Sequence, residues 1–78
     1  MSREPQPGLY RELTVARVRS LEGADHVEVM FFESPQIFLL SRAGPRFDEL
    51  LDRLREGQRV HVGLVSLDSD VIMDVRVR

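Results

Sequence analysis

The sequence contains no cysteine, no lysine and no tryptophan, and these absences narrow what the chain can be. Without cysteine there is no disulfide framework, no thiolate metal site and no cysteine nucleophile. No apolar run approaches the roughly 20 residues that a transmembrane helix needs. The segment 1–8 has no apolar core of a signal peptide, so we expect a flexible N-terminal lead-in and a cytoplasmic protein.

All eleven cationic residues are arginines that alternate with acidic residues, and the net charge is −2. Nucleic-acid binders usually carry a basic patch or run. No such run is visible, which lowers the expectation of nucleic-acid binding without removing it, because folding can still gather arginines on one side. The 78 residues predict a single small domain over 9–78. A chain of this size is near the lower limit for folding on its own core, and oligomerisation is a common supplement.

Alternating apolar residues predict five strands. The predicted strands cover residues 13–21, 27–32, 37–41, 59–65 and 71–78. In the first strand the alternation breaks at Ala16-Arg17, which predicts a β-bulge with both neighbouring arginines outward. In the last strand the alternation predicts four inward residues, namely Val71, Met73, Val75 and Val77.

A helix is predicted between the third and fourth strands. Pro45 fits the first helical position, and the acids that follow it suit the first turn because the helix dipole favours negative charge there. Glu49 and Arg53 form a favourable i,i+4 pair. Four residues at helical spacing form a single apolar stripe. They are Phe47, Leu50, Leu51 and Leu54.

The predicted fold is mostly β with one helix, in the order β-β-β-α-β-β. This order resembles the topology of an OB-fold, which is a five-stranded, partly open barrel. The resemblance is one of element order across residues 10–78, and it implies that the helix closes one end of the barrel. An SH3-like barrel and an open α+β sheet remain as alternatives.

The hairpin of the second and third strands is unusual because neither of its faces is polar. A turn at Ser34-Pro35 would place Phe31 opposite Phe38. Because side chains alternate along a strand, one face collects five apolar residues. They are Val27, Val29, Phe31, Phe38 and Leu40. The other face, which we name the second apolar face, collects Met30, Phe32, Ile37 and Leu39. Glu28 lies at its far end, and Arg42 is expected on its rim.

Two interpretations of this hairpin are open. Either the rest of the chain covers both faces, or one face meets a second subunit, a partner or a ligand. The helix and the last two strands can cover the face that holds Phe31 and Phe38, and they leave no obvious material for the second apolar face. The sequence therefore predicts a non-enzymatic binding module that acts through protein–protein contact or self-association. The residues predicted to carry the contact are Met30, Phe32, Ile37, Leu39, Glu28 and Arg42.

The alternative hypothesis is that single-stranded nucleic acid binds this side of the barrel, as it does in OB-folds. Phe32 and Phe38 would stack on bases. Three arginines would contact phosphates, namely Arg17, Arg19 and Arg42. Against this hypothesis, the two loops beside the surface carry four carboxylates that would repel a polyanion. They are Glu22, Asp25, Asp68 and Asp70.

No catalytic motif is visible. His26 and His61 are the only histidines, and no serine stands in the local context of a nucleophile elbow. Glu22, Asp25 and His26 in one turn could hold a metal, but such a cluster is more often a hydrophilic loop. The sequence thus predicts no catalytic residue, no metal ligand and no cofactor.

Overall fold

The computed structural model describes residues 9–66 and 68–77, in which it has five strands and one helix. The lead-in predicted for residues 1–8 lies outside the described residues, as do Leu67 and Arg78. The elements are β1 (Tyr10–Ser20), β2 (His26–Phe31), β3 (Ser34–Ser41), α1 (Phe47–Arg53), β4 (Arg59–Leu64) and β5 (Ile72–Val77). The element order is the predicted one.

The strands form one antiparallel sheet in the order β3-β2-β1-β4-β5. β1 belongs to both halves of this sheet, since its first part pairs with β4 and its second part with β2. The register shifts between Val15 and Arg17, so the β-bulge predicted at Ala16-Arg17 is confirmed. At this bend the N–H of Val15 donates to the carbonyl oxygen of Gln58 at 2.9 Å, and the N–H of Gly57 donates to the carbonyl oxygen of Val15 at 2.8 Å.

The sheet is not closed. Its two edge strands, β3 and β5, approach each other at one parallel bridge between Leu39 and Val71. There the N–H of Leu39 donates to the carbonyl oxygen of Asp70 at 2.7 Å. The mostly β fold with one helix is therefore confirmed for the described residues, whereas the predicted barrel is not.

The hydrophobic core lies between the inner face of the sheet and α1. Leu50 of α1 and Leu54, which directly follows the helix, are buried, and Phe47 and Leu51 pack against the core at half burial. The predicted apolar stripe of the helix is thus confirmed. The predicted pair of Glu49 and Arg53 is confirmed as well, at 2.7 Å.

The β2–β3 hairpin has the predicted faces but not the predicted register. Phe38 pairs with Val29 instead of Phe31. The reason is that the turn lies at Phe32-Glu33, before the predicted turn at Ser34-Pro35. The register differs by two residues, and an even shift keeps every side chain on its face because the side-chain period of a strand is two. All five residues predicted for the inner face are buried.

Contacts with β1 hold the hairpin turn in this place. The N–H of Phe32 donates to the carbonyl oxygen of Thr14 at 3.0 Å, and the N–H of Thr14 donates to Glu33 Oε1 at 2.7 Å. Arg59 Nη1 lies 3.3 Å from Glu33 Oε2. The hydrogen bond from Thr14, followed by the charge of Arg59, lowers the pKa of Glu33.

Of the four residues predicted inward in β5, two have the wrong orientation, namely Val71 and Met73. Val75 is buried as predicted, and Ile72 is buried too. The other three are exposed: Val71, Met73 and Val77. For Val71 and Met73 the reason is a register shift that pairs Leu64 with Ile72. Val77 keeps the phase of Val75 and pairs with the buried Val60, but it lies at the end of β5 and is exposed there. An extra residue in one strand reverses the inside–outside alternation on one side of the irregularity.

Candidate interaction surface

The second apolar face lies on the outer side of the β1–β2–β3 half of the sheet. Residues that pair across strands hold their side chains on the same side of the sheet. Two cross-strand rows therefore form one continuous surface. The first row is Arg17, Met30 and Ile37, and the second row is Arg19, Glu28 and Leu39.

Exposure differs within the second apolar face. Phe32, in the turn, is 73% exposed, and Ile37 is 45% exposed. Met30 and Leu39 are half-buried. By contrast Phe38, the neighbour of Ile37 along β3, is fully buried. The hairpin thus has a buried inner face and a solvent-accessible apolar outer face.

Two residues that the sequence pattern assigned to the core extend this surface. Val71 neighbours Leu39 through the parallel bridge, and Met73 follows two residues later. Both side chains are exposed. No local signal in the sequence could have found them, because their orientation depends on the register shift between β4 and β5.

An apolar groove of about 320 Å³ opens beside this surface, between the end of β3, the start of β5 and the segment that enters α1. Its walls include Leu40, Pro45, Phe47, Leu50, Ile72 and Met73. A cleft of this size is at the lower end of the range for small-molecule sites and is lined as such sites are. It can accept an apolar side chain or a small apolar group.

The two charged residues predicted at the edge of the second apolar face have different positions. Glu28 lies on the surface as predicted, with its carboxylate 3.9 Å from the guanidinium of Arg19. Arg42 does not, because it donates a hydrogen bond to the hydroxyl of Ser20 and lies over the ring of Phe47. Arg42 is therefore turned toward α1, and its predicted place on the rim is wrong.

The residues of the nucleic-acid hypothesis do not converge. Phe38 is fully buried and packs edge-to-face on Phe31, with ring centroids 5.3 Å apart. It is not available to stack on a base, so that part of the hypothesis is wrong. Arg17 and Arg19 share the outer face, whereas Arg42 is turned away toward α1.

Four exposed carboxylates flank the surface in the two neighbouring loops. Glu22 and Asp25 lie in the β1–β2 loop, and Asp68 and Asp70 lie in the β4–β5 loop. Within the described part of the chain, none of the four carboxylates is in an ion pair. Their charges oppose the approach of a polyanion.

Neither a metal-binding cluster nor a membrane-spanning helix is found in residues 9–66 and 68–77. No three or more His, Asp or Glu side chains come together there as metal ligands would, and this includes the turn that holds Glu22, Asp25 and His26. No helix in the same ranges is long and apolar enough to cross a membrane.

The other half of the outer face, over β4 and β5, carries polar groups that bond to one another. Tyr10, Gly63 and Asp74 form one cross-strand row. The ring of Tyr10 lies across Gly63, where an added Cβ would be 3.0 Å from two ring atoms. The Tyr10 hydroxyl donates to Asp74 Oδ2 at 2.5 Å.

Asp74 also meets two arginines. Arg46 Nη1 and Arg76 Nε each lie 3.2 Å from a carboxylate oxygen of Asp74. Burial raises the pKa of this carboxyl, but the hydrogen bonds from Tyr10 and Arg76 and the charge of Arg46 outweigh burial and hold the pKa below its usual value. The cluster ties β1, β5 and the start of α1 together, and its groups bond mainly to one another.

No protein-family model, no curated protein and no solved structure matches this chain. Function must therefore be inferred from the surface itself. The exposed apolar side chains of the β2–β3 hairpin, the adjoining groove and the charges on either side are the features to be explained.

Proposed function

We propose that this protein is a non-enzymatic binding module whose second apolar face docks against a protein surface. The observation that carries the proposal is the exposure of Phe32 and Ile37, at 73% and 45%, in a chain whose inner core is already filled. Larger contiguous apolar patches that stay exposed on a folded soluble domain typically mark interaction sites.

The chemistry of the surface supports a protein as the partner. Aromatic residues and methionine are enriched at the centres of protein interfaces, and charged residues at their rims. Here Met30 and Ile37 form the centre, and Phe32 extends it at the hairpin turn. Arg17 and Glu28 lie beside them. The groove next to Met73 would take an apolar anchor side chain of the partner, because binding energy concentrates where such anchors fill pockets.

We also infer that the scaffold is a partly open barrel of the OB type. The support is the strand order together with the parallel bridge between Leu39 and Val71, since closure would join those two edge strands. OB-folds bind on the face of their second and third strands, between the β1–β2 and β4–β5 loops. The second apolar face occupies the corresponding position. This support is an analogy of topology.

Light scattering at high micromolar concentration tests the proposal. For the unmodified protein we expect a mass above the 9.0 kDa of one chain. Ile37→Asp should reduce that mass, because burying an unpaired carboxylate in an apolar contact is costly. Val77→Asp is the matched control, since Val77 is 46% exposed and lies outside the second apolar face. It should leave the mass unchanged.

A photo-crosslinking residue at position 37 extends the test to partners other than a second copy. Crosslinks to protein from position 37, and none from position 77, are expected. Three results together would contradict the proposal: the unmodified protein is a strict monomer, Phe32→Asp leaves its mass unchanged, and position 37 forms no crosslink to protein. Salt-sensitive binding of a labelled oligonucleotide that is lost in Arg17→Glu would favour the nucleic-acid hypothesis instead.

A further inference from the structure

The outer face of the β1–β2–β3 half has opposite charges on its two sides. On the β1 side, Arg17 is exposed and forms no ion pair with any described residue. Its neighbour Arg19 is balanced by Glu28, 3.9 Å away. On the other side, beyond β3, the β4–β5 loop exposes Asp68 and Asp70, which also lack ion-pair partners in the described ranges. Beside the two cross-strand rows, one flank therefore carries the charge of Arg17, unpaired among the described residues, and the other carries two carboxylates. Glu22 and Asp25 lie beyond the ends of the strands, in the β1–β2 loop.

The two flanks are about equally far from the middle of the surface. Arg17 lies one strand beyond Met30, and Val71, which follows Asp70, lies one strand beyond Leu39. With strands about 4.8 Å apart, each flank is roughly 7 Å from the line that runs between β2 and β3. An apolar centre with equidistant flanks of opposite charge is complementary to a copy of itself.

We propose that the second apolar face pairs with the same face of a second copy, about a two-fold axis that runs parallel to β2 and β3. The proposal rests on the proposed function and names its partner. Rotation about this axis places the β1 side of one copy over the β5 side of the other. Arg17 of each copy then meets Asp68 and Asp70 of the other, and the contact occurs twice, as in every isologous interface.

The charges also select this axis over the perpendicular one. A two-fold axis that ran across the strands would place β1 over β1, with Arg17 facing the same flank of the second copy. It would also place the acidic β4–β5 loop of one copy over the β4–β5 loop of the other. Like charges that face each other in an interface act against it. In the proposed arrangement Ile37 and Leu39 lie beside the axis and pack on the apolar centre of the second copy.

Charge-exchanged variants test the arrangement. Arg17→Glu alone, and Asp68→Arg with Asp70→Arg alone, each bring like charges together twice, so the dissociation constant of each homodimer should rise by about tenfold or more. Mixed in equal amounts, the two variants restore opposite charges at both contacts. We expect them to form a heterodimer, which light scattering detects by mass and native mass spectrometry identifies by composition.

Controls and contrary outcomes separate this inference from the proposed function. Arg55→Glu matches the charge change of Arg17→Glu, and Glu56→Arg matches that of each single Asp→Arg change. Both controls are on exposed residues after α1 and should leave the dimer unchanged. If Ile37→Asp removes the dimer but the mixed variants form no heterodimer, the two-fold arrangement is wrong and the second apolar face remains the contact. If the unmodified protein is monomeric, this inference is overturned. The proposed function then stands only if position 37 crosslinks to a different protein.

Discussion

The two halves of the outer sheet face differ in chemistry, although their inner faces are alike. Over β1, β4 and β5 the outer face is polar and bonded across strands, with Tyr10 donating to Asp74 and Arg59 Nε 2.8 Å from Glu12 Oε2. Over β2 and β3 it is apolar and partly exposed, as at Ile37. The polar half shows that polar contacts across strands can cover the outer side of this sheet without apolar residues. Folding alone therefore does not explain the second apolar face, and this is the reason for proposing a binding function.

The largest expected effect contrasts the two faces of β3 at adjacent positions. Phe38→Ala removes a fully buried ring and should lower the free energy of unfolding by about 3–5 kcal/mol. Ile37→Ala, one residue earlier on the outer face, should cost less than about 1 kcal/mol in the monomer. Denaturant titration at low protein concentration measures both. Equal losses would remove the distinction between the faces.

The second prediction concerns the polar half. Gly63→Ala would place a Cβ 3.0 Å from the Tyr10 ring and 3.1 Å from Asp74 Cβ, so it should destabilise the protein by about 1–3 kcal/mol. Gly44→Ala is the matched control, because its Cβ would meet nothing closer than the carbonyl oxygen of Ser41 at 3.6 Å. Thermal or denaturant unfolding compares them. A harmless Gly63→Ala would mean that the Tyr10 ring is not held across the strand.

The third prediction tests the hydrogen bond that crosses this strand. Tyr10→Phe removes a donor to a carboxylate and should cost about 1 kcal/mol at neutral pH. Because the pKa of Asp74 is lowered in the folded protein, the stability it contributes is present above its ordinary value of 3.8 and is lost as pH falls through the folded pKa. Tyr10→Phe should therefore flatten the loss of stability in acid.

Unfolding measured from neutral pH into the acid range checks this, with Asp74→Asn as the reference that lacks the carboxyl altogether. The pKa values of Glu33 and Glu49 are lowered as well, and both groups remain in every variant, so part of the acid dependence should persist. An unchanged acid slope in Tyr10→Phe would show that the bond does not set the pKa of Asp74.

The smallest expected effect on stability concerns the apolar half of the outer face. Ile37→Thr keeps a β-branched residue in β3 while adding a polar group, and should change the stability of the monomer by less than about 0.5 kcal/mol. Its association should nevertheless weaken. Unfolding at low concentration and light scattering at high concentration separate the two effects. A large loss of monomer stability would indicate that the outer face supports the fold itself.

Features that depend on local periodicity could be predicted from the sequence. The helix stripe around Leu50 and Leu54, the β-bulge near Arg17 and the two faces of the β2–β3 hairpin each follow from the order of side chains within one element. The faces were predicted correctly even though the register was wrong, because an error of two residues preserves the alternation. The candidate surface was recognisable for the same reason.

What the amino-acid order alone determined is which side chains share a face, since helical and strand periods are properties of the local backbone. The tertiary structure decided how those faces meet. The hairpin turn depends on a bond between Thr14 and Glu33, which are 19 residues apart. The orientation of Met73 depends on the pairing of β4 with β5, and that of Arg42 on the position of Phe47. Such contacts join distant segments, so no local pattern encodes them.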